Sequence, residues 1–360
     1  MNAAEKLHGL QQSLWLDNIT REILNNGTLQ RYVTDFAITG LTSNPTIFDE
    51  AIGGTSAYDE AIAKKRQAGL SDEALFMELA LEDLRRAADI FKPVHAATAG
   101  VDGWVSMEVS PLLADDTKNT IEAAQRIQRQ GGRDNLYVKI PGTAAGVPAI
   151  EEAIFRGVPI NVTLLFSREQ YLAAAGAYLK GIERRLAAGL DPKVFSVASL
   201  FVSRWDRAVA DKVPANLRNK LGIAISQRTY RAYRELLGSA RWQKLAAQGA
   251  QPQRLLWAST GVKDPSASPN LYVEALAAPA TINTMPEKTP LAFAASGKLA
   301  GTMSADGGDA EKVLQQFAAA GIDIDRLAAT LQQDGARSFV KSWEELLGRI
   351  AEKSGATAKS

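Results

Sequence analysis

Short apolar runs rich in β-branched residues recur along the chain. Between them, apolar residues return every three or four positions, with charged residues on the opposite face. The short runs predict strands over 13–18 (SLWLDN), 36–42 (FAITGLT), 104–110 (WVSMEVS) and 135–140 (NLYVKI). Four more are predicted over 158–166 (VPINVTLLF), 194–202 (VFSVASLFV), 254–260 (RLLWAST) and 280–285 (ATINTM). The longer periodic segments predict helices, for example over 71–91 and 116–130, the second stopped by Gly131-Gly132.

Strand and helix alternate, which predicts a parallel sheet with helical crossovers. Eight repeats within 360 residues fit a closed (β/α)8 barrel better than an open sheet, and no strand leads into a G-x-G-x-x-G turn. The connections 45–103 and 203–253 are too long to be structureless, so extra helices are expected there. No linker composition interrupts the chain. Residues 1–360 are therefore read as one α/β domain, a TIM barrel with extra helices and a C-terminal helical extension, and the polar tail 351–360 is expected to fray.

Composition narrows the chemistry. Hydrophobic residues make up 46% of the chain, ample for a large core. Forty-one Lys and Arg against forty Asp and Glu give a net charge of +1, without the basic bias of a general nucleic-acid binder. The absence of cysteine removes disulfides, thiolate catalysis and Cys-ligated metal. With only His8 and His95, both expected at surface or helix-end positions, a Ser-His-Asp triad or a multi-His metal site is not expected. The opening MNAAEKLHGLQQS lacks the apolar core of a secretory signal, and no apolar stretch approaches the roughly 18 residues of a membrane span. A cytoplasmic protein without membrane partners is the expectation. Catalysis would fall to Lys, carboxylates, amides and hydroxyls.

Barrel enzymes place those groups at the C-terminal ends of their strands, and polar residues do interrupt these apolar runs there. Lys139, in LYVKIPG, must be paired, reach the rim or be functional. At pH 7 roughly one unperturbed lysine amine in 2,500 is neutral, and desolvation raises that fraction, so a buried barrel lysine is a Schiff-base candidate. A salt-bridged structural lysine is the competing reading. Asp17 and Glu108 close apolar runs and could serve the proton transfers of imine chemistry. Each could instead cap the following helix or pair with Lys139, and Asp17 reads equally well as the N-cap of a helix beginning at ITREIL.

Asn44, before a proline in TSNPTIF, marks a strand-to-loop turn. Asn161 and Thr163 stand two apart in PINVTLLF, so both face one side of their strand and need partners there, which substrate hydroxyls would supply. Ser199, Phe201 and Arg204 follow one another in ASLFVSRWD. Arg204 suits bidentate phosphate binding, although a surface pairing with Asp206 would also account for it. Ser259 and Lys263, in ASTGVKDP, end the seventh strand and could offer backbone N–H groups and a cation to phosphate. GTAAG (142–146) is not a phosphate-binding P-loop, because no Gly-Lys-Ser/Thr follows it.

Together these segments resemble the transaldolases. GLTSNPTIF (40–48) is similar to the family's first signature and LYVKIPGTAAG (136–146) to its active-site lysine signature. WLDNI, SMEVSP, INVTLLFS and ASLFVSRWD fall in the matching order, and the resemblance runs from about residue 10 to 350. The length and the segment FVKSWEELLGRI (339–350) resemble the longer bacterial subgroup.

The resemblance implies a (β/α)8 barrel and a class I mechanism with no metal and no cofactor. Lys139 would attack the ketone of fructose 6-phosphate or sedoheptulose 7-phosphate, and Asp17 would take the hydroxyl proton as the carbon–carbon bond breaks. Glu108, through a water held with Thr163, would serve imine formation and hydrolysis. Asn44 and Asn161 would bind the dihydroxyacetone hydroxyls, with Ser199 beside them, Arg204 would hold the phosphate, and Phe201 would shape the pocket. Ser259 matches the serine of the family's seventh strand. Much of the family places an arginine shortly after that serine; this chain has Thr260-Gly261-Val262-Lys263, which leaves Lys263 as the substitute. The implied setting is the pentose phosphate pathway, with phosphosugars as the only partners and either a monomer or a homodimer. The alternatives are a simple fructose 6-phosphate aldolase, whose members are shorter and lack the glutamate of SMEVSP, and a sugar-phosphate-binding protein that has lost catalysis.

Overall fold

The protein is described here from a computed structural model covering residues 2–357. Eight strands close into a parallel barrel in chain order, with the last pairing to the first. They are β1 Ser13–Asp17, β2 Ile38–Thr42, β3 Val105–Glu108, β4 Leu136–Pro141, β5 Ile160–Leu165, β6 Ser196–Phe201, β7 Gln253–Ala258 and β8 Thr281–Met285. Each of the eight predicted runs overlaps one of them. Every strand position is buried except Asp17 at the end of β1, because one face meets the barrel interior and the other the surrounding helices. Clean period-two alternation is accordingly missing from the sequence.

The predicted strand edges shift for local reasons. Phe36 belongs to the helix Thr28–Phe36, and Ala37 ends that helix in a left-handed conformation (φ 52°) before β2 begins. Ser259 likewise turns left-handed (φ 56°), so β7 ends at Ala258. The helix predicted over 71–91 runs on to Ala97, with Pro93 inside its last turns, and the one over 116–130 spans Thr117–Gly131 with Gly132 as its left-handed cap. The two long connections hold helices, as expected: Pro45–Gly54, Asp59–Gln67 and Asp72–Ala97 in the first, Ser203–Val209, Leu221–Gly238 and Ala240–Ala246 in the second.

The last helix, Ile324–Thr357, does not end near Ile350. Lys353 Nζ donates to the Thr55 carbonyl at 2.7 Å and to Asp59 at 2.6 Å, and the Ser354 hydroxyl is buried beside Arg66. Side chains from the first long connection thus anchor residues that composition alone marks as free; 358–360 lie outside the described residues. This helix returns across the carboxyl-terminal mouth of the barrel, where Thr46 meets Ser342 (2.7 Å) and Phe76 meets Trp343 edge-on. Five of the six tryptophans are fully buried, as core residues. His8 is exposed near the end of the first helix, and His95 stands in the last turn of another against Trp104, its pKa lowered by burial. Among the described residues, no helix is long and apolar enough to cross a membrane.

Candidate active site

Parallel register places the polar residues side by side. Glu108 on β3 pairs with Lys139 on β4, which pairs in turn with Asn161 on β5; one layer higher, Pro141 pairs with Thr163. Asp17 on β1 pairs with Thr42 on β2. Residues far apart in the chain therefore meet at the carboxyl ends of the strands.

Lys139 is 5% exposed and Glu108 6%. The ammonium donates to the Ser43 carbonyl at 2.8 Å and to Glu108 Oε2 at 3.2 Å. Burial raises the pKa of Glu108, and the lysine opposes that rise. Thr163 is fully buried close by, and its hydroxyl has no hydrogen-bond partner among the described residues. An unsatisfied hydroxyl in a buried polar layer marks room for a water or a substrate oxygen.

Asp17 lies across the cavity. It is not a helix cap; Thr20 caps the helix Arg21–Asn25 by accepting from the Ile23 N–H at 3.2 Å. The Asp17 carboxylate instead accepts from the Thr42 hydroxyl at 2.6 Å, and Thr42 meets Thr284 of β8 at 2.6 Å. Burial raises the Asp17 pKa, opposed first by the Thr42 hydrogen bond and then by the charges of Lys139, Arg204 and Lys263. Both carboxyl groups are thus shifted toward neutrality, a useful condition for exchanging protons near pH 7.

A cavity of about 140 Å³ joins these groups, lined among others by Asp17, Asn44, Lys139, Thr163, Ser199 and Phe201. Arg204, Ser259 and Lys263 complete its upper wall. Asn44 is at once a turn residue and a wall of the site: its side chain caps the helix Pro45–Gly54 through the Ile47 N–H (3.0 Å), and it borders the cavity. Glu108 and Asn161 stand one step behind the lining. Asn161 donates to Ser106 at 3.2 Å and accepts from Ser199 at 2.7 Å, so it orients the hydroxyl that does reach the cavity.

The surface pairing of Arg204 with Asp206 does not form. Asp206 is buried on the other side of its helix, where it accepts from the N–H groups of Leu221 and Gly222 and from Tyr272; burial pushes its pKa up to about 6. That commitment leaves Arg204 facing the cavity, 5.1 Å above the Phe201 ring. Ser259 meets Ser203 at 2.9 Å, and Lys263 stands at the rim, bordering a second cavity of about 300 Å³.

Several lining residues are not marked by the sequence pattern. Thr42 and Thr284 carry a usable signal, as hydroxyls at the ends of apolar strands. Gly261, Pro286 and especially Phe339, from the last helix, carry none. Among the described residues, no group of three or more His, Asp or Glu is placed to hold a metal ion.

A buried amine with a carboxylate on either side, hydroxyls between and cations at the mouth can form an imine, move protons on both faces of it and retain a phosphate. The sequence model of the family described as transaldolase/fructose-6-phosphate aldolase matches residues 14–350. A protein named transaldolase from Saccharopolyspora erythraea is 43% identical over 97% of this chain and 97% of its own length. Another from Thermobifida fusca is 43% identical over 95% of each. A protein named transaldolase 2 from Nostoc punctiforme is 39% identical, again over 95% of each.

Proposed function

The chain belongs to the transaldolase/fructose-6-phosphate aldolase family and has transaldolase activity, and we propose how its own residues carry that activity out. The observation that carries the proposal is the contact of Lys139 Nζ with Glu108 at 3.2 Å on the floor of a cavity whose opposite wall is Asp17.

The neutral Lys139 amine adds to the ketone carbon of a ketose phosphate, sedoheptulose 7-phosphate or fructose 6-phosphate. Glu108, through a water resting on the free Thr163 hydroxyl, gives the proton that lets the carbinolamine lose water and leave a protonated imine. Asp17 removes the proton from the hydroxyl on the fourth carbon, and the bond between the third and fourth carbons breaks. Its electrons pass into the imine, leaving an enamine of dihydroxyacetone on Lys139 and a free aldose phosphate. The enamine adds to a second aldose phosphate, glyceraldehyde 3-phosphate or erythrose 4-phosphate. Asp17 returns its proton, and water attack assisted by Glu108 releases the new ketose.

Asn44 and Ser199 bind the dihydroxyacetone hydroxyls, with Asn161 fixing Ser199. Arg204, Ser259 and Lys263 hold the phosphate, and Phe201 shapes the wall. Phosphosugars are the only partners this reading requires, and the barrel with its last helix acts as one catalytic unit.

Incubation with fructose 6-phosphate followed by borohydride should leave a three-carbon adduct on the peptide carrying Lys139, read by mass spectrometry. Erythrose 4-phosphate added before the reductant should discharge it. An adduct that persists would indicate aldol cleavage without transfer, and no adduct on folded, substrate-bound protein would remove Lys139 from the chemistry.

A further inference from the structure

The last helix, Ile324–Thr357, presents Gln332, Gly335 and Phe339 at spacings of three and four, on one stripe facing the barrel mouth. Gln332 Nε2 donates to the carbonyls of Gly142 (3.0 Å) and Leu164 (2.9 Å), which lie just past β4 and near the end of β5. Leu164 has a left-handed backbone (φ 57°), a conformation that a leucine keeps only when its surroundings hold it there. Phe339 is 5% exposed and lines the active cavity, its ring 5.9 Å from the Arg204 guanidinium carbon, alongside the 5.1 Å contact with Phe201.

Gly335 lies between these two residues, inside a helix, where glycine is a poor choice. A Cβ at this position would come within 3.1 Å of Arg204 Nη1 and 2.9 Å of Leu164 Cδ2. The helix therefore touches the arginine at two points, one bare backbone and one ring. Among the described residues, no carboxylate forms an ion pair with Arg204. Stacking on ring faces holds a guanidinium without using its N–H groups, so the donors at its edge stay available for an anion.

We propose that Gly335 and Phe339, on a helix that Gln332 anchors to the barrel mouth, are positioning residues that seat the Arg204 guanidinium, so that selection of phosphorylated over unphosphorylated donors depends on a helix outside the barrel. The proposal rests on the reading of Arg204 as a phosphate ligand. A helix that merely caps the mouth would contribute stability and nothing else. A positioning role predicts a loss confined to the phosphate end of the substrate.

The experiment uses the full chain with Gly335→Ala and, separately, Phe339→Leu. Gly335→Ala should raise KM for fructose 6-phosphate roughly five- to tenfold with kcat within about twofold, while borohydride trapping of unphosphorylated dihydroxyacetone on Lys139 continues. Titration of inorganic phosphate by calorimetry should show each variant weakened by a similar factor. KM and phosphate affinity within about twofold of the unsubstituted protein in both variants would overturn the inference, as would equal losses with dihydroxyacetone. Phosphate titration needs no turnover, so a failure of the Schiff-base reading, seen as no trapping in the unsubstituted protein, is distinguishable from a failure of this one. If Gly335→Ala does not fold, Phe339→Leu decides by phosphate affinity.

Discussion

The two ends of the barrel bury charge in opposite ways. At the amino-terminal end, Asp102 accepts from the Ser13 hydroxyl, from Trp15 Nε1 at 2.8 Å and from the Gly103 N–H at 3.0 Å. Arg254 donates to Ser13 at 2.7 Å and to the carbonyls of Thr281 and Val101. Nearby, Trp104 stacks on Tyr137 with ring centroids 3.9 Å apart. There the charges are enclosed by protein donors and acceptors. At the carboxyl-terminal end, Lys139, Asp17 and Arg204 border a cavity, and the Thr163 hydroxyl lacks a partner among the described residues. Buried charge surrounded by fixed partners serves the fold; buried charge facing an opening is held for something that enters it.

The sharpest way to break the comparison is Lys139→Met. Turnover should fall by at least about 10³-fold and borohydride trapping should vanish, because the proposed nucleophile is gone. Thermal stability should hold or rise, because the Glu108 carboxyl left behind is already pushed toward neutrality by burial and need not remain as an unpaired charge. Unfolding of the variant would instead assign Lys139 to the architecture.

At the other end the expectation reverses. Asp102→Ala strands the Trp15 N–H and the Ser13 hydroxyl beside a buried arginine. It should cost on the order of 3 kcal/mol in denaturant unfolding while leaving kcat of the folded enzyme nearly unchanged. A drop in kcat with full stability would join the two ends functionally and end the contrast.

The smallest effect tests Thr42. In the proposed mechanism Asp17 must be ionised to take a proton, and Thr42 supplies the strongest opposition to its burial-raised pKa. Thr42→Val should move the acid limb of the kcat profile to higher pH, with about a tenfold loss near that limb and recovery in Thr42→Ser. The folded chain binds this proton more tightly than the unfolded one. The stability Asp17 contributes is therefore complete below the unfolded value of 3.8 and lost as pH rises through the folded value. The Thr42→Val variant should accordingly lose more stability at neutral pH than in acid. An unmoved acid limb would show that Asp17 is not the titrating base.

Much of the site was legible because strand positions dictate direction. Asn161 and Thr163, two apart in an apolar run, had to share a face, and they do. Lys139 within LYVKIP had to be buried, and it is. Local patterns were less decisive where two residues could fill the same role. Thr20, not Asp17, caps the helix Arg21–Asn25, and that outcome frees Asp17 for the cavity. Asp206, a local candidate to meet Arg204, is held instead by Leu221, Gly222 and Tyr272, partners from later elements that no local pattern reveals.

The order of strands, the barrel and the residue types at the strand ends can be read along the chain, because burial on both faces leaves its mark in every apolar run. That the last helix crosses the mouth, with Phe339 and Gly335 against Arg204 and Lys353 tied to Asp59, emerges from the folded chain. Amphipathic spacing states that a helix has a buried face. What that face covers depends on contacts between residues far apart in the chain, and closing the chain over that distance leaves no trace in local composition.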